Sequence, residues 1–361
     1  MKKVILLGIE GFGGQWPEPC ELSDLEIVAI VDSNPEALER AKKRFDLSDD
    51  RFFDGSDLSW TQVEADGIIE ATAPGGRVDR VMAALESGKD VIMAKPPVLN
   101  LEDLLAIRDR KNELGQQVHV ATQKRYFPAY YKIKSIIEHE DIGQLSYADI
   151  NLRVDGTYWK SGFYWRRKLP FPSLMDGSIH HFDLLCWWTG AGFADVTASS
   201  WNPSWSPFVN DCDMASVIHM DNGATVHYQS RWSMKEGPVI NYFDGIRLEF
   251  TNAVLEVIGG KLYQNGRYVP LIGDGQTMMD TGKLNIYILS DMLKSIEHKR
   301  DFYKTSVENH IEPFKCVIAS VGSILSGKRV ALKGLEEHLE DYNVSRPQLN
   351  AIMEHVFDRD M

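Results

Sequence analysis

Residues 2–14, KKVILLGIEGFGG, run from a short apolar segment directly into four glycines, Gly8, Gly11, Gly13 and Gly14. A buried strand that ends in closely spaced glycines is how a dinucleotide-binding unit begins. The first glycine permits a tight turn, the second lets the backbone approach a pyrophosphate, and the third lets the next helix pack on the strand. With Gly8 as the first and Gly13 as the third, Glu10 stands in the second place. That residue puts a side chain and a negative charge where neither suits a diphosphate. Pro17 and Pro19 follow, and they confine the next helix to about a turn.

Outward from this stretch the same pattern recurs. Apolar runs lie at 25–32 (LEIVAIVD), 66–73 (DGIIEATA), 89–95 (KDVIMAK) and 116–122 (QQVHVAT). Near-continuous apolar runs of this length suit strands covered on both faces, as in a parallel sheet. Between them, 34–45, 77–87 and 101–114 have helical periodicity, the first opening on the capping pair Asn34-Pro35. Alternating strand and helix predict an α/β domain, a Rossmann dinucleotide-binding unit over 1–122. Asp32 ends the second strand, nineteen residues beyond Gly13. A carboxylate there accepts hydrogen bonds from a ribose and repels a 2′-phosphate, which favours NAD over NADP. The other reading of Asp32 is simply the start of the next loop.

After residue 122 the pattern changes. Helices are predicted at 126–139 and 175–189, and a strand at 145–154. From 193 to 271 extended segments follow one another, among them 212–220, 224–232 and 246–258, before helices return at 284–298 and 305–326. Strands in succession predict an α+β domain over 123–337 on an open, largely antiparallel sheet. Residues 338–361 form a polar tail that suits one more helix. An open sheet needs its apolar face covered.

The bulk properties narrow the partners. The chain has 361 residues, 43% hydrophobic and 25% charged, as expected of two globular domains. A net charge of -13 argues against nucleic acid. The four cysteines, Cys20, Cys186, Cys212 and Cys316, are far apart and have no metal-ligand spacing, so reduced thiols and no metal are expected. Glu10 interrupts the N-terminal apolar run, which reads as a first strand and not as a signal peptide. No run is long enough to span a bilayer. A cytoplasmic location and no membrane partner follow as expectations.

Two places carry candidate chemistry. Lys95 ends the fourth apolar run and precedes Pro96 and Pro97. Strand C-terminal ends are where open α/β sheets bind ligands, so Lys95 is a candidate donor to a ribose or substrate hydroxyl; a solvated lysine before a loop is the alternative. In DGSIHHFD, residues 176–183, the spacing i, i+4 and i+7 places Asp176, His180 and Asp183 on one helical face. A neutral imidazole beside a carboxylate suits the proton acceptor that alcohol oxidation requires. The structural alternative has Ser173 and Asp176 forming a capping box, with the histidines packed in a core beside Trp187 and Trp188. Seven of the nine tryptophans fall between Trp159 and Trp232. Together with Tyr158, Arg166 and Arg167 they offer flat surfaces and guanidinium donors for a sugar or cyclitol; core packing is the other explanation.

The ordered series of the glycine loop, VAIVDSNPE, ATAP, the Lys-Pro turn, QKRYFPAY, DGSIHHFDLLCWWTG and IEPFKCVIASVGSILSGKRVAL resembles the Gfo/Idh/MocA oxidoreductases over about residues 1–332. The resemblance implies hydride transfer between NAD and a sugar, cyclitol or related polyol. The family commonly covers its open sheet with a second subunit, so the resemblance also implies a homodimer or homotetramer. It implies catalytic roles for Lys95, Asp176 and His180: His180 takes the hydroxyl proton, Lys95 orients substrate and nicotinamide ribose, and Asp176 positions His180 or the substrate. Gly8, Gly11, Phe12, Gly13, Asp32, Ser33, Thr72, Ala73, Pro74, Lys95 and Gln123 fall at cofactor positions. Lys95, Arg125, Tyr158, Trp165, Arg166, Asp176 and His180 are the candidates for substrate contact. Three departures stand out: Glu10 for a glycine, Ala94 for the glutamate that usually precedes Lys-Pro, and Arg77 where a histidine is common. An NAD-dependent glycosidase or epimerase-like enzyme, or a non-catalytic ligand sensor on the same fold, are the alternative functions.

Overall fold

In the computed structural model, residues 2–156, 165–235, 245–271, 281–298, 305–335 and 337 are described. They divide into two compact units, Met1–Lys124 with Met279–Ile311, and Arg125–Met278 with Glu312–Met361. Tyr158, Trp159 and the tail 338–361 lie outside the described residues.

The first unit is built on six parallel strands: β1 (Lys2–Leu7), β2 (Leu25–Asp32), β3 (Phe52–Asp54), β4 (Gly67–Glu70), β5 (Asp90–Met93) and β6 (Val118–Val120). Their order is β3-β2-β1-β4-β5-β6. Val4, Ile5, Leu6 and Leu7 are all buried, as are Ile68, Ile69, Val91, Ile92 and Met93, so the central strands are covered on both faces. The chain order reverses between β1 and β4, and a sheet of this kind opens its ligand crevice at that point, beyond the strand C-termini. Helices α1 (Pro17–Leu22), α2 (Pro35–Arg44), α3 (Arg77–Glu86) and α4 (Leu101–Leu114) connect the strands. Helix α1 is short, as its prolines predict; both sit in its first turn, where a missing N–H costs nothing. Asn34 caps α2 by accepting from the Glu36 N–H at 3.0 Å. Strand β3 has only three residues, too few for an apolar pattern to announce it.

The second unit opens with α5 (Pro128–His139) and β7 (Leu145–Arg153) and continues through α6 (Trp165–Lys168) and α7 (Ile179–Thr189). Its sheet then adds β8 (Phe193–Trp201), β9 (Asp213–Met220), β10 (Thr225–Arg231), β11 (Ile246–Phe250), β12 (Val254–Ile258), β13 (Lys261–Gln264) and β14 (Arg267–Val269). Helix α8 (Asn285–His298) belongs to the first unit; α9 (Ile311–Ser326) and β15 (Val330–Ala331) complete the second. The nine strands run β14-β13-β12-β11-β7-β10-β9-β8-β15. The pairing is antiparallel throughout except between β7 and β10.

Three features differ from the sequence reading. Residues 246–258 are not one extended segment but the hairpin β11–β12, in which Phe250 N–H donates to Ala253 O at 2.7 Å. Helix α8, expected within the 123–337 domain, packs against α1; proximity in sequence does not settle which core a helix joins. The apolar face of the large sheet is covered by the unit's own helices and not left for a second copy. Phe182 of α7 meets Tyr228 and Phe193, and Ser323 of α9 accepts from Ala198 N–H. The opposite face presents Asp149, His227, Gln229, Arg247 and Glu249, none of them buried. All four cysteines are free thiols, and burial pushes Cys20 up to about 12 and Cys212 up to about 11.

Candidate active site

Each unit contributes its own cluster. In the first, the glycine loop turns tightly at Gly8 (φ 81°), whose N–H donates to Val31 O at 2.7 Å. A Cβ on Gly13 would lie 1.9 Å from Gly8 O, so only glycine fits there. Gly11 also has positive φ and is exposed, leaving its backbone open. Phe12 packs edge-on against buried Trp16, and Ser33 is exposed beside Asp32.

Asp32 accepts from the Ile9 N–H at 2.9 Å with one oxygen and from the Asn34 N–H at 2.8 Å with the other. Burial raises its pKa, the negative charge of Glu10 adds to that, and the two backbone donors oppose it. Glu10 is exposed and forms an ion pair with Arg40 of α2, and it lies 3.5 Å from the Asn34 amide nitrogen. Its charge is therefore met by a cation at α2. The expectation of an unshielded carboxylate in the loop did not include this partner, thirty residues away in sequence.

Residues 72–74 follow β4. The Thr72 hydroxyl accepts from Arg80 Nη2 at 2.6 Å and bonds to Glu70. Ala73 is half-buried and Pro74 buried. Lys95 lies just past β5, half-buried, with a cis bond to Pro96. Beyond β6, Thr122 and Gln123 are buried, and Thr122 Oγ1 and Gln123 Oε1 have no hydrogen-bond partner. Orphaned acceptors of this kind are costly unless a ligand or water completes them. The close-packed Gly13, the open Gly11 backbone, Asp32 and these two side chains fit a nicotinamide dinucleotide.

In the second unit the DGSIHHFD stretch is not a regular helix. Ser173–Ser178 form a π turn that runs into α7. Ser178 Oγ donates to Ser173 O, five residues back, at 3.1 Å. Gly177 lets this wide turn sit against β7: a Cβ there would lie 3.0 Å from Leu152 Cδ2 and 3.1 Å from the Trp232 indole. Such turns interrupt the 3.6-residue period, so the i, i+4, i+7 face expected for Asp176, His180 and Asp183 does not describe the geometry. Instead Asp176 accepts from Arg166 Nε at 2.6 Å, and Asp183 is held by Arg125, with Nε donating at 2.7 Å. Ser173 is not the cap of this turn but its first residue, since Pro172 holds the cap position, so the expected capping box does not describe this end.

His180 and His181 are both buried, and His181 Nδ1 lies 3.2 Å from the Tyr228 hydroxyl. Arg166 stacks over Trp165, its guanidinium carbon 4.4 Å from the ring centroid. Arg125, a candidate substrate contact, is sealed in its pair with Asp183. Of the tryptophans, Trp187, Trp188 and Trp232 are core, Trp165 is half-buried and Trp205 exposed. Sequence reasoning missed Glu70 and Arg80 and took Arg77 only as a departure. Glu70 closes an otherwise apolar strand, and a buried acid demands a cation; that was the available signal.

The comparisons with known proteins agree with this fold. Residues 2–122 match the profile described as "Oxidoreductase family, NAD-binding Rossmann fold", and residues 130–259 match the GFO/IDH/MocA C-terminal domain. An uncharacterised protein, y4oX, of Sinorhizobium fredii is 24% identical over 252 residues, 68% of this chain and 70% of that protein. The scyllo-inositol 2-dehydrogenase (NAD(+)) of Bacillus subtilis is 29% identical over 163 residues, 44% of this chain and 46% of its own length. Among solved structures, an Agrobacterium radiobacter oxidoreductase in complex with NAD+, L-tartaric acid and magnesium superposes with a TM-score of 0.83 at 18% identity, covering 92% of this chain and 99% of that one. Scyllo-inositol dehydrogenase from Lactobacillus casei, with NAD(H) and scyllo-inositol, gives 0.73 at 14% identity over the same shares.

Proposed function

The chain belongs to the Gfo/Idh/MocA oxidoreductase family, with an NAD-binding Rossmann domain, and from that premise we propose that it is a dehydrogenase of a sugar, cyclitol or related polyol. The observation that supports this reading most is the π turn, which carries the buried Asp176 paired with Arg166 and runs directly into α7 with its buried His180. Turns of this kind gather at functional sites.

Bound NAD supplies the hydride acceptor. Gly8, Gly11, Phe12, Gly13, Asp32, Ser33, Thr72, Ala73, Pro74 and Gln123 hold it. His180 accepts the hydroxyl proton as the alcohol carbon gives up hydride, and returns it in the reverse direction. Lys95 donates to the reacting oxygen, while Asp176, paired with Arg166, orients the imidazole or a substrate hydroxyl. Trp165 and Arg166 are the described candidates for contact with the sugar.

Purified protein incubated with NAD and a panel of inositols, sugars and sugar acids tests the reading. Formation of NADH with at least one polyol is the expected result. Turnover of a glycoside or an epimer with no net NADH points to the glycosidase or epimerase class, and ligand binding without turnover points to a sensor. Assembly as a homodimer or homotetramer is part of the proposal. Light scattering at micromolar concentration should give a dimer or tetramer, and a monomer would refute it.

A further inference from the structure

Glu70 is the last residue of β4 and fully buried, an unusual place for a carboxylate. Two arginines of α3 answer it. Arg77 Nε donates to Oε2, and Arg80 Nε donates to Oε1 at 3.0 Å. The rest of the Arg77 guanidinium is directed at backbone. Nη1 donates to Ala94 O at 3.0 Å and to Pro96 O, and Nη2 donates to Thr72 O. Arg77 is itself 1% exposed, so water does not compete for these bonds.

The two carbonyls that share Nη1 belong to the residues immediately before and after Lys95. Pinning both fixes the Lys95 Cα from either side, and the Lys95 side chain leaves from an immobile root. Thr72 O ties the loop after β4 to the same group. A buried ion pair is seldom worth more than an apolar substitute. No apolar side chain, however, donates to three carbonyls at once, and the planar fork of arginine can.

We infer that Arg77, charge-balanced by Glu70, is a positioning residue that clamps the Lys95 turn and the loop after β4 into one rigid rim of the candidate site. The inference rests on the dehydrogenase reading for what Lys95 does, but not for how Lys95 is held.

The test is Arg77→Lys, which keeps a cation beside Glu70 while losing the fork. Turnover with the active polyol, NAD affinity by calorimetry, and competitive acetylation of Lys95 against pH by mass spectrometry are read together. The exposed Lys42 and Lys43 serve as internal references. The clamp predicts that kcat falls about 10²-fold, as for displacement of a catalytic group by about 1 Å. NAD affinity and KM should hold within about threefold, the split that separates positioning from binding. The Lys95 acetylation profile should shift while the reference lysines keep theirs. A folded variant with kcat within about twofold of the parent and an unchanged Lys95 profile overturns the inference. If the parent turns over no polyol, the dehydrogenase reading fails and the acetylation profile alone decides the clamp. If Arg77→Lys does not fold, Glu70→Gln/Arg77→Met removes both charges and is read the same way.

Discussion

One arginine–carboxylate pair from each unit bears on function, Glu70–Arg77 in the first and Asp176–Arg166 in the second, and they differ in what surrounds them. Glu70 and Arg77 are exposed by 0% and 1%, and the Arg77 guanidinium donates to Glu70 and to the backbone carbonyls of Thr72, Ala94 and Pro96. Asp176 is just as buried at 1%, but its partner Arg166 is 17% exposed and stacked on Trp165. The first pair is sealed and acts as a fastener. The second has one face towards water, where a substrate hydroxyl or carboxylate can take part. Burial of the carboxylate is common to both, so what separates a fixed pair from an exchangeable one is the accessibility of the arginine.

The largest effect is expected from breaking the sealed pair. Arg77→Met should cost about 3–5 kcal/mol in urea unfolding, since it leaves buried Glu70 to Arg80 alone and takes the donor from the carbonyls of Thr72, Ala94 and Pro96. Arg166→Met should cost about 1–3 kcal/mol, because solvent follows into the space it leaves. Equal losses would mean that exposure of the arginine does not set the difference.

On the open side, His180→Ala should lower kcat about 10²–10⁴-fold, the usual worth of a general base. His181, whose ring meets Tyr228, should matter through packing alone, with kcat reduced less than about tenfold. Steady-state rates on the two variants decide, and equal losses would remove the assignment of His180.

Acid separates Glu70 from ordinary surface carboxylates. Burial works to raise its pKa, but the charges of Arg77 and Arg80 and the bonds from Thr72 and Arg77 prevail and hold it below the ordinary value. A carboxylate lowered on folding adds stability that is complete above its unfolded value, near pH 4.3, and is lost as pH falls through the folded one. Glu70→Gln should therefore flatten the acid limb of the stability curve. An unchanged limb would mean that Glu70 is not ionised in the fold.

The smallest effect is expected at Glu10. Left unshielded beside a diphosphate, its removal would tighten NAD more than about a hundredfold at low salt. Paired with Arg40 and exposed, Glu10→Gly should tighten NAD less than about tenfold, and the gain should fade as salt is raised. Calorimetry at two salt concentrations measures it. A hundredfold gain would show that the pair with Arg40 does not persist with cofactor bound.

The parts of this molecule legible in its sequence are those where one residue's environment follows from its neighbours. Apolar runs such as LEIVAIVD announce strands covered on both faces, and Asn34-Pro35 announces a capped helix. The glycine at 13 could be read because a tight turn after a strand leaves no room for a Cβ. Contacts between distant elements were not legible. Nothing in RVDRVMAALE indicates that its first arginine reaches carbonyls seventeen and nineteen residues on. The π turn escaped notice because one extra residue per turn leaves the apolar pattern of Leu174, Met175 and Ile179 intact. The hairpin at 246–258 escaped because both arms alternate and the turn between them, Thr251-Asn252, lacks glycine.

The return of α8 to the first unit bears on how the chain matures. Its packing partner α1 is made long before it, and α8 only after strands β7 to β14 of the second unit's sheet have been translated. Domains that are continuous in sequence condense as they emerge. Here the nucleotide-binding unit must wait, its α1 surface uncovered, until residue 298 clears the ribosome, so the nascent chain has a long interval in which a chaperone has something to hold.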